Sequence, residues 1–157
     1  MRYLSYIPID LVNGPGTRCT VFLSGCAHRC KGCYNAVSWN PKNGIEWTTD
    51  IEDQIIKDLT STDIPLQGLT LTGGDPLLPL NHTELLKFIQ RVRKEAPGKD
   101  IWMWTGYTAE ELTAPQREIV DLVDVIVDGR FEIDQKDATL EWRGSRNQRV
   151  IPVHTLA

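Results

Sequence analysis

Thr20-Val21-Phe22-Leu23-Ser24-Gly25-Cys26-Ala27-His28-Arg29-Cys30-Lys31-Gly32-Cys33-Tyr34-Asn35 carries the reading of the chain. A short run of β-branched and apolar residues stops at Ser24-Gly25 and opens into a loop with three cysteines. The same grammar recurs downstream. Residues 68–71, 101–104 and 123–127 are further strand-like runs, ending at Thr72-Gly73, Thr105-Gly106 and Asp128-Gly129. Helix-period segments lie between them. Thr49 and Glu52 have capping-box spacing ahead of Ile51, Ile55, Ile56 and Leu59, and Asn81 and Glu84 have it ahead of Leu85, Leu86, Phe88, Ile89 and Val92. Pro97-Gly98 closes that second helix, and a third runs from about Pro115 to Leu122. Strand–helix–strand alternation implies crossover connections and parallel pairing. All four polar-glycine ends then fall along the carboxyl edge of one sheet, where α/β proteins assemble their chemistry. A complete eight-stranded α/β barrel needs about 250 residues, and this chain has 157. The expectation is an α/β fold in a single domain, 1–157: an open partial (β/α) barrel with a mainly parallel sheet, reduced in size. Its open side suits a substrate as large as a segment of another protein.

The cysteine loop has C-x3-C-x2-C spacing, with Cys19 standing apart. Thiolates are soft ligands for zinc or for iron–sulfur clusters, and closed sites of either kind take four protein ligands. Cys26, Cys30 and Cys33 alone leave one iron of a four-iron cluster without a protein ligand, free to take a substrate. The rival is a zinc knuckle completed by His28 or Cys19. His28 adds strain to a tight loop. Cys19 is one strand length away at roughly 3.3 Å per residue, which puts its thiol near the opposite strand end. His28 is therefore expected to be a solvated loop residue and Cys19 a small side chain beside the sheet.

Composition excludes several classes. Seventeen Lys and Arg against twenty-one Asp and Glu leave a net charge of −4, with no basic stretch, which argues against nucleic acid. Met1-Arg2-Tyr3-Leu4-Ser5 runs into Pro8, Asp10 and Asn13 without a long apolar run, so neither a signal peptide nor a membrane span is expected. A cytoplasmic, thiol-reducing compartment follows from that expectation. Trp102 and Trp104 alternate along one run and share a face. Core packing is expected of all five tryptophans.

C-x3-C-x2-C directly after a first strand, with Gly73-Gly74-Asp75-Pro76 after a second, resembles the radical S-adenosylmethionine superfamily. Further stretches are similar to its glycyl-radical activases that serve anaerobic ribonucleoside-triphosphate reductase. These are Val12-Asn13-Gly14-Pro15-Gly16-Thr17-Arg18, Trp104-Thr105-Gly106-Tyr107, Val127-Asp128-Gly129-Arg130-Phe131 and Trp142-Arg143-Gly144-Ser145 with Asn147-Gln148. The likeness covers nearly the whole chain.

The resemblance implies a radical S-adenosylmethionine type of fold and a [4Fe-4S] cluster on Cys26, Cys30 and Cys33, with S-adenosyl-L-methionine chelating the open iron. It implies that the carbonyls of Gly73 and Gly74, with Asp75, accept from the methionine amino group; Asp75 stands where glutamate is commoner. It places the backbone of Gly32, Cys33 and Tyr34 at the adenine edge, Thr105 and Asp128 near the cofactor, and Arg130 at its carboxylate. No side chain is needed as a general acid or base. The implied partners are the large subunit of anaerobic ribonucleoside-triphosphate reductase as protein substrate and a one-electron donor, with neither nucleic acid nor membrane. An activase of another glycyl-radical enzyme, a small enzyme acting on a nucleobase-like molecule and a zinc-stabilised binding module stay open. Arg143-Gly144-Ser145 has no role readable from sequence.

Overall fold

In a computed structural model that describes residues 1–33 and 36–156, the chain runs β1 (Arg2–Asp10), β2 (Arg18–Leu23), β3 (Ile45–Glu46), α1 (Thr49–Thr60), β4 (Gly68–Gly73), α2 (His82–Glu95), β5 (Asp100–Trp104), α3 (Ala114–Val120), β6 (Val125–Asp128) and β7 (Arg149–Pro152), with short 3-10 turns between. All seven strands form one sheet in the order β3-β1-β2-β4-β5-β6-β7. Parallel pairing joins β2 to β4, β4 to β5 and β5 to β6. Antiparallel pairing joins β1 to β2, β1 to β3 and β6 to β7. The sheet is therefore mixed rather than mainly parallel. The four runs that end in polar-glycine are its centre, and the strands outside them need no helical crossover because they return as hairpin-like neighbours.

Side-chain alternation gives the central strands two unlike faces. On one, Val21, Leu71, Met103 and Ile126 lie in register across four strands. Ile55, Ile56 and Leu59 of α1, Leu85, Phe88, Ile89 and Val92 of α2 and Ile119 and Val120 of α3 close over them in one core cluster. Each such fully buried aliphatic side chain contributes about 1.5–3 kcal/mol by leaving water. Cys19 belongs to this face at 0% exposure, and burial pushes its thiol up to about 12.

Thr20, Thr70, Trp102 and Val125 form the matching row on the other face, and no helix among the described residues covers it. The end of β1 and the segment after it, 10–17, do so by polar contacts: Thr70 Oγ1 donates to the Asn13 carbonyl at 2.6 Å, and Thr20 Oγ1 donates to Asp10 Oδ2 at 2.6 Å. Burial pushes Asp10 up, yet donors from Thr20, Asn13 and Val12 outweigh it and hold the carboxyl below its ordinary value. Arg18 is wholly buried on this face. Its Nε donates to Thr70 Oγ1, one terminal nitrogen to the Pro15 carbonyl, and the other to the Leu69 carbonyl and Asp100 Oδ1 at 2.6 Å. The guanidinium carbon lies 5.9 Å from the Trp102 ring centroid.

The helix starts differ from the spacing rule. Thr48, not Thr49, caps α1 and makes no side-chain cap bond. Glu52 instead accepts from Trp47 Nε1 at 2.7 Å, and Glu84 accepts from the chain's own ammonium group at 2.8 Å. α3 carries a capping box between Thr113 and Gln116. None of the helices among the described residues is long and apolar enough to cross a membrane.

Candidate iron–sulfur and cofactor site

The ends of β2, β4, β5 and β6 meet along one edge. Leu23 of β2 accepts from the Gly74 N–H at 2.7 Å, and the Gly25 carbonyl accepts from the Asp75 N–H at 2.7 Å. These two bonds press the Gly73-Gly74 turn onto the start of the cysteine loop. A Cβ on Gly74 would sit 2.3 Å from the Gly25 oxygen, and Gly73, at φ +102°, would meet the Leu23 backbone at 2.5 Å. Close backbone approach therefore requires glycine at both positions.

The loop itself is stitched to the following 3-10 turn, Ala36–Trp39, by Gly25 N–H to the Ser38 carbonyl at 2.6 Å and Cys26 N–H to the Trp39 carbonyl at 3.2 Å. Arg29 and Gly32 take left-handed backbone, φ 52° and 77°, and the Cys33 N–H donates to the Cys30 carbonyl at 3.1 Å. Cys26, Cys30 and Cys33 are all partly buried and outside any disulfide. Burial pushes Cys26 up to about 11, opposed by the His28 and Arg29 N–H groups and reinforced by the charges of Asp75 and Cys30. Cys30 is also raised by burial, against a hydrogen bond from the Phe131 N–H. Backbone donors aimed at partly buried sulfur suit thiolates bound to a thiophilic centre. Among the described residues, no group of three His, Cys, Asp or Glu side chains has the spacing of a single-ion site.

The two candidates for a fourth ligand are engaged elsewhere. Cys19 lies 3.9 Å from the Gly68 carbonyl, at the opposite end of the strands. His28, expected in solvent, has a side chain only 5% exposed. Its Nε2 lies 2.5 Å from Asp75 Oδ2, and its ring meets Tyr107 edge-on with centroids 4.5 Å apart. The signal missed is a contact across 47 positions, which no local pattern encodes.

The residues expected around a cofactor divide into two groups. Gly32 and Cys33 border a cavity of about 360 Å³ with Trp104, Phe131, Trp142 and Arg143. A neighbouring cavity of about 350 Å³ runs past Thr72 to Val12 and Asn13 and shares Trp104, Trp142 and Arg143. Trp104 and Trp142 are thus half-buried cavity walls rather than core, with the Trp104 indole N–H donating to the Trp142 carbonyl at 2.7 Å. Tyr34 lies outside the described residues.

The second group is engaged by other protein groups. Asp75, 1% exposed, accepts from Thr105 Oγ1 at 2.9 and 3.0 Å, Gly106 N–H at 2.8 Å and Leu77 N–H at 2.9 Å, besides His28. Thr105 is spent on that carboxylate. Asp128, fully buried, accepts from the Ala109 N–H at 2.8 Å and twice from Arg149, at 3.0 and 2.5 Å. Arg149 also grips Glu110 at 3.0 and 2.7 Å, which holds that carboxyl down to about 2. Arg130 is 43% exposed and pairs with Glu111 at 2.8 Å.

Arg143-Gly144-Ser145 and Asn147-Gln148 form a clasp on the loop after β6. Gln148 Oε1 accepts from the Gly144 and Ser145 N–H groups, Gln148 Nε2 donates to the Gly129 carbonyl, and Asn147 Nδ2 donates to the Arg130 carbonyl. Ser145 Oγ accepts from the Glu132 N–H at 3.2 Å. The clasp thereby fixes Phe131, whose N–H reaches Cys30.

Residues 12–151 match the family model of a 4Fe-4S single cluster domain. The chain is 57% identical over 150 residues to an anaerobic ribonucleoside-triphosphate reductase-activating protein of Escherichia coli K12, covering 96% of this chain and 97% of that one. It is 54% identical over 148 residues to the protein of that name from Vibrio cholerae (94% and 96% covered) and 45% identical over 150 residues to that from Enterobacteria phage T4 (96% and 93% covered). With its three-thiol loop set at the joined ends of four strands, the chain belongs to the family of anaerobic ribonucleoside-triphosphate reductase-activating proteins and carries that family's 4Fe-4S single cluster domain.

Proposed function

We propose that Cys26, Cys30 and Cys33 hold a [4Fe-4S] cluster with one iron left open, and that the chain is a radical S-adenosylmethionine enzyme. The sheet, closed by helices on one face and open on the other, is read here as a reduced partial (β/α) barrel. A bound, reduced cluster would supply the one electron needed for reductive cleavage of S-adenosylmethionine to methionine and a 5′-deoxyadenosyl radical, which would take a hydrogen atom from a glycine of the anaerobic reductase's large subunit and leave a glycyl radical there.

The observation that carries this reading is the placement of Cys33. It borders a cavity on the open face, while both possible fourth protein ligands, His28 and Cys19, are held elsewhere. The chain's own part is to bind and orient. Phe131, Arg29 and His28 N–H groups offset developing charge on the cysteine sulfurs. The Gly73-Gly74 backbone supplies acceptors for the cofactor's ammonium group. Trp104 and Trp142 wall the space next to Cys33 and exclude water from a reactive radical.

The test mixes anoxically reconstituted protein with the large subunit of an anaerobic ribonucleoside-triphosphate reductase, S-adenosylmethionine and a chemical one-electron reductant. A glycyl doublet in the electron paramagnetic resonance spectrum, with 5′-deoxyadenosine formed in step, is the expected result. Protein that loads a cluster yet forms no 5′-deoxyadenosine overturns the reading.

A further inference from the structure

We propose that Asp75 and His28 are a positioning pair that clamps the cysteine loop onto the ends of β4 and β5, and that Asp75 is not an acceptor for the cofactor's amino group. The inference rests on the radical S-adenosylmethionine reading above and concerns which residues build its site.

Hydrogen-bond capacity comes first. An ionised carboxylate offers about four acceptor positions. Asp75 already receives Thr105 Oγ1 on both oxygens, the Leu77 N–H on Oδ1 and the Gly106 N–H on Oδ2, with His28 Nε2 at 2.5 Å from Oδ2. At 1% exposure it has no free lone pair, and it does not line the cavities beside Cys33. An ammonium group could reach it only by evicting one of these donors.

Geometry then shows what the carboxylate does instead. Asp75 touches the loop twice: its N–H donates to the Gly25 carbonyl at 2.7 Å, and its side chain holds His28. Those two anchors bracket Cys26, and His28 stands two residues from Cys26 and two from Cys30. The imidazole is boxed in by its neighbours. A Cβ on Gly106 would lie 2.4 Å from the His28 ring, and Tyr107 packs edge-on against it. The loop histidine thus plugs into a socket made by the ends of β4 and β5, which sets the direction in which Cys26 and Cys30 present their sulfurs. Aspartate suits this task better than glutamate, because the shorter side chain keeps the carboxylate back among the strand ends.

His28→Leu, His28→Gln and Asp75→Glu separate the possibilities, each measured for iron and sulfide bound per chain, for S-adenosylmethionine affinity of the loaded fraction, and for alkylation of Cys26 in the metal-free protein. Loss of an outer-shell partner typically weakens metal binding about tenfold or more. His28→Leu and Asp75→Glu should show that loss together with faster Cys26 alkylation. His28→Gln, whose amide N–H can reach the same oxygen, should restore both. Loaded chains of every variant should bind S-adenosylmethionine as the parent does. Full loading of His28→Leu with unchanged alkylation overturns the clamp. Full loading of Asp75→Glu, with S-adenosylmethionine affinity altered, restores the acid to the cofactor. Parent protein that cleaves no S-adenosylmethionine would instead sink the functional reading and leave the alkylation result to judge the clamp.

Discussion

The two faces of the central sheet answer different demands from the same four strands. On the helix side, Val21, Leu71, Met103 and Ile126 stand in a row with every side chain inside a common apolar cluster. On the open side, the matching positions are Thr20, Thr70 and Trp102, with a buried arginine beside them and loops for a lid. Apolar burial stabilises the first face without needing direction. The second is held by directed polar bonds that fix where groups point and leave room beside Cys33. Undirected apolar burial dominates one face and directed polar bonding the other.

The largest difference should come from the open face. Arg18→Met removes a fully buried cation that ties Asp100, Thr70 and the Pro15 and Leu69 carbonyls together, so unfolding in urea should show a loss of about 3–5 kcal/mol. A loss below about 1 kcal/mol would mean that the polar face bears little weight. Leu71→Ala, on the helix face, should cost about 2–5 kcal/mol through transfer and cavity effects. That variant sharpens the contrast, because 5′-deoxyadenosine formed per loaded cluster should stay at the parent value. The smallest effect lies at the rim. Arg149 depresses Glu110 from 4.5 to about 2, so their attraction is complete above about pH 4.5 and fades as pH falls toward 2. Thermal unfolding of the parent and Glu110→Gln should therefore differ slightly at neutral pH and converge in acid; divergence in acid contradicts the pairing.

Much of the centre was legible because its signals are local. Four apolar runs ending in a polar residue and glycine marked β2, β4, β5 and β6, and helix-period spacing marked α1, α2 and α3. β1 escaped because Ser5, Ile7, Pro8 and Ile9 are exposed, so its pattern reports solvent rather than core, and Pro8 argues against a strand. β7 is four residues long and mostly exposed. Within the site, cysteine spacing singled out three thiols that the fold sets at the strand ends, whereas the contacts of His28, Asp75, Asp128 and Gln148 depend on partners 19 to 47 positions away. A buried aspartate at a strand end reads the same in sequence whether it faces a cofactor or an arginine. Only the neighbours in space decide.

Mössbauer spectroscopy of cluster iron in anoxically reconstituted protein, with and without S-adenosylmethionine, bears most directly on the vacant-iron claim. The expected spectrum shows one iron in four shifting on addition, because it alone lacks a cysteine and gains oxygen and nitrogen ligands. Four irons that ignore the addition, or a lone metal ion ligated entirely by side chains, would contradict it.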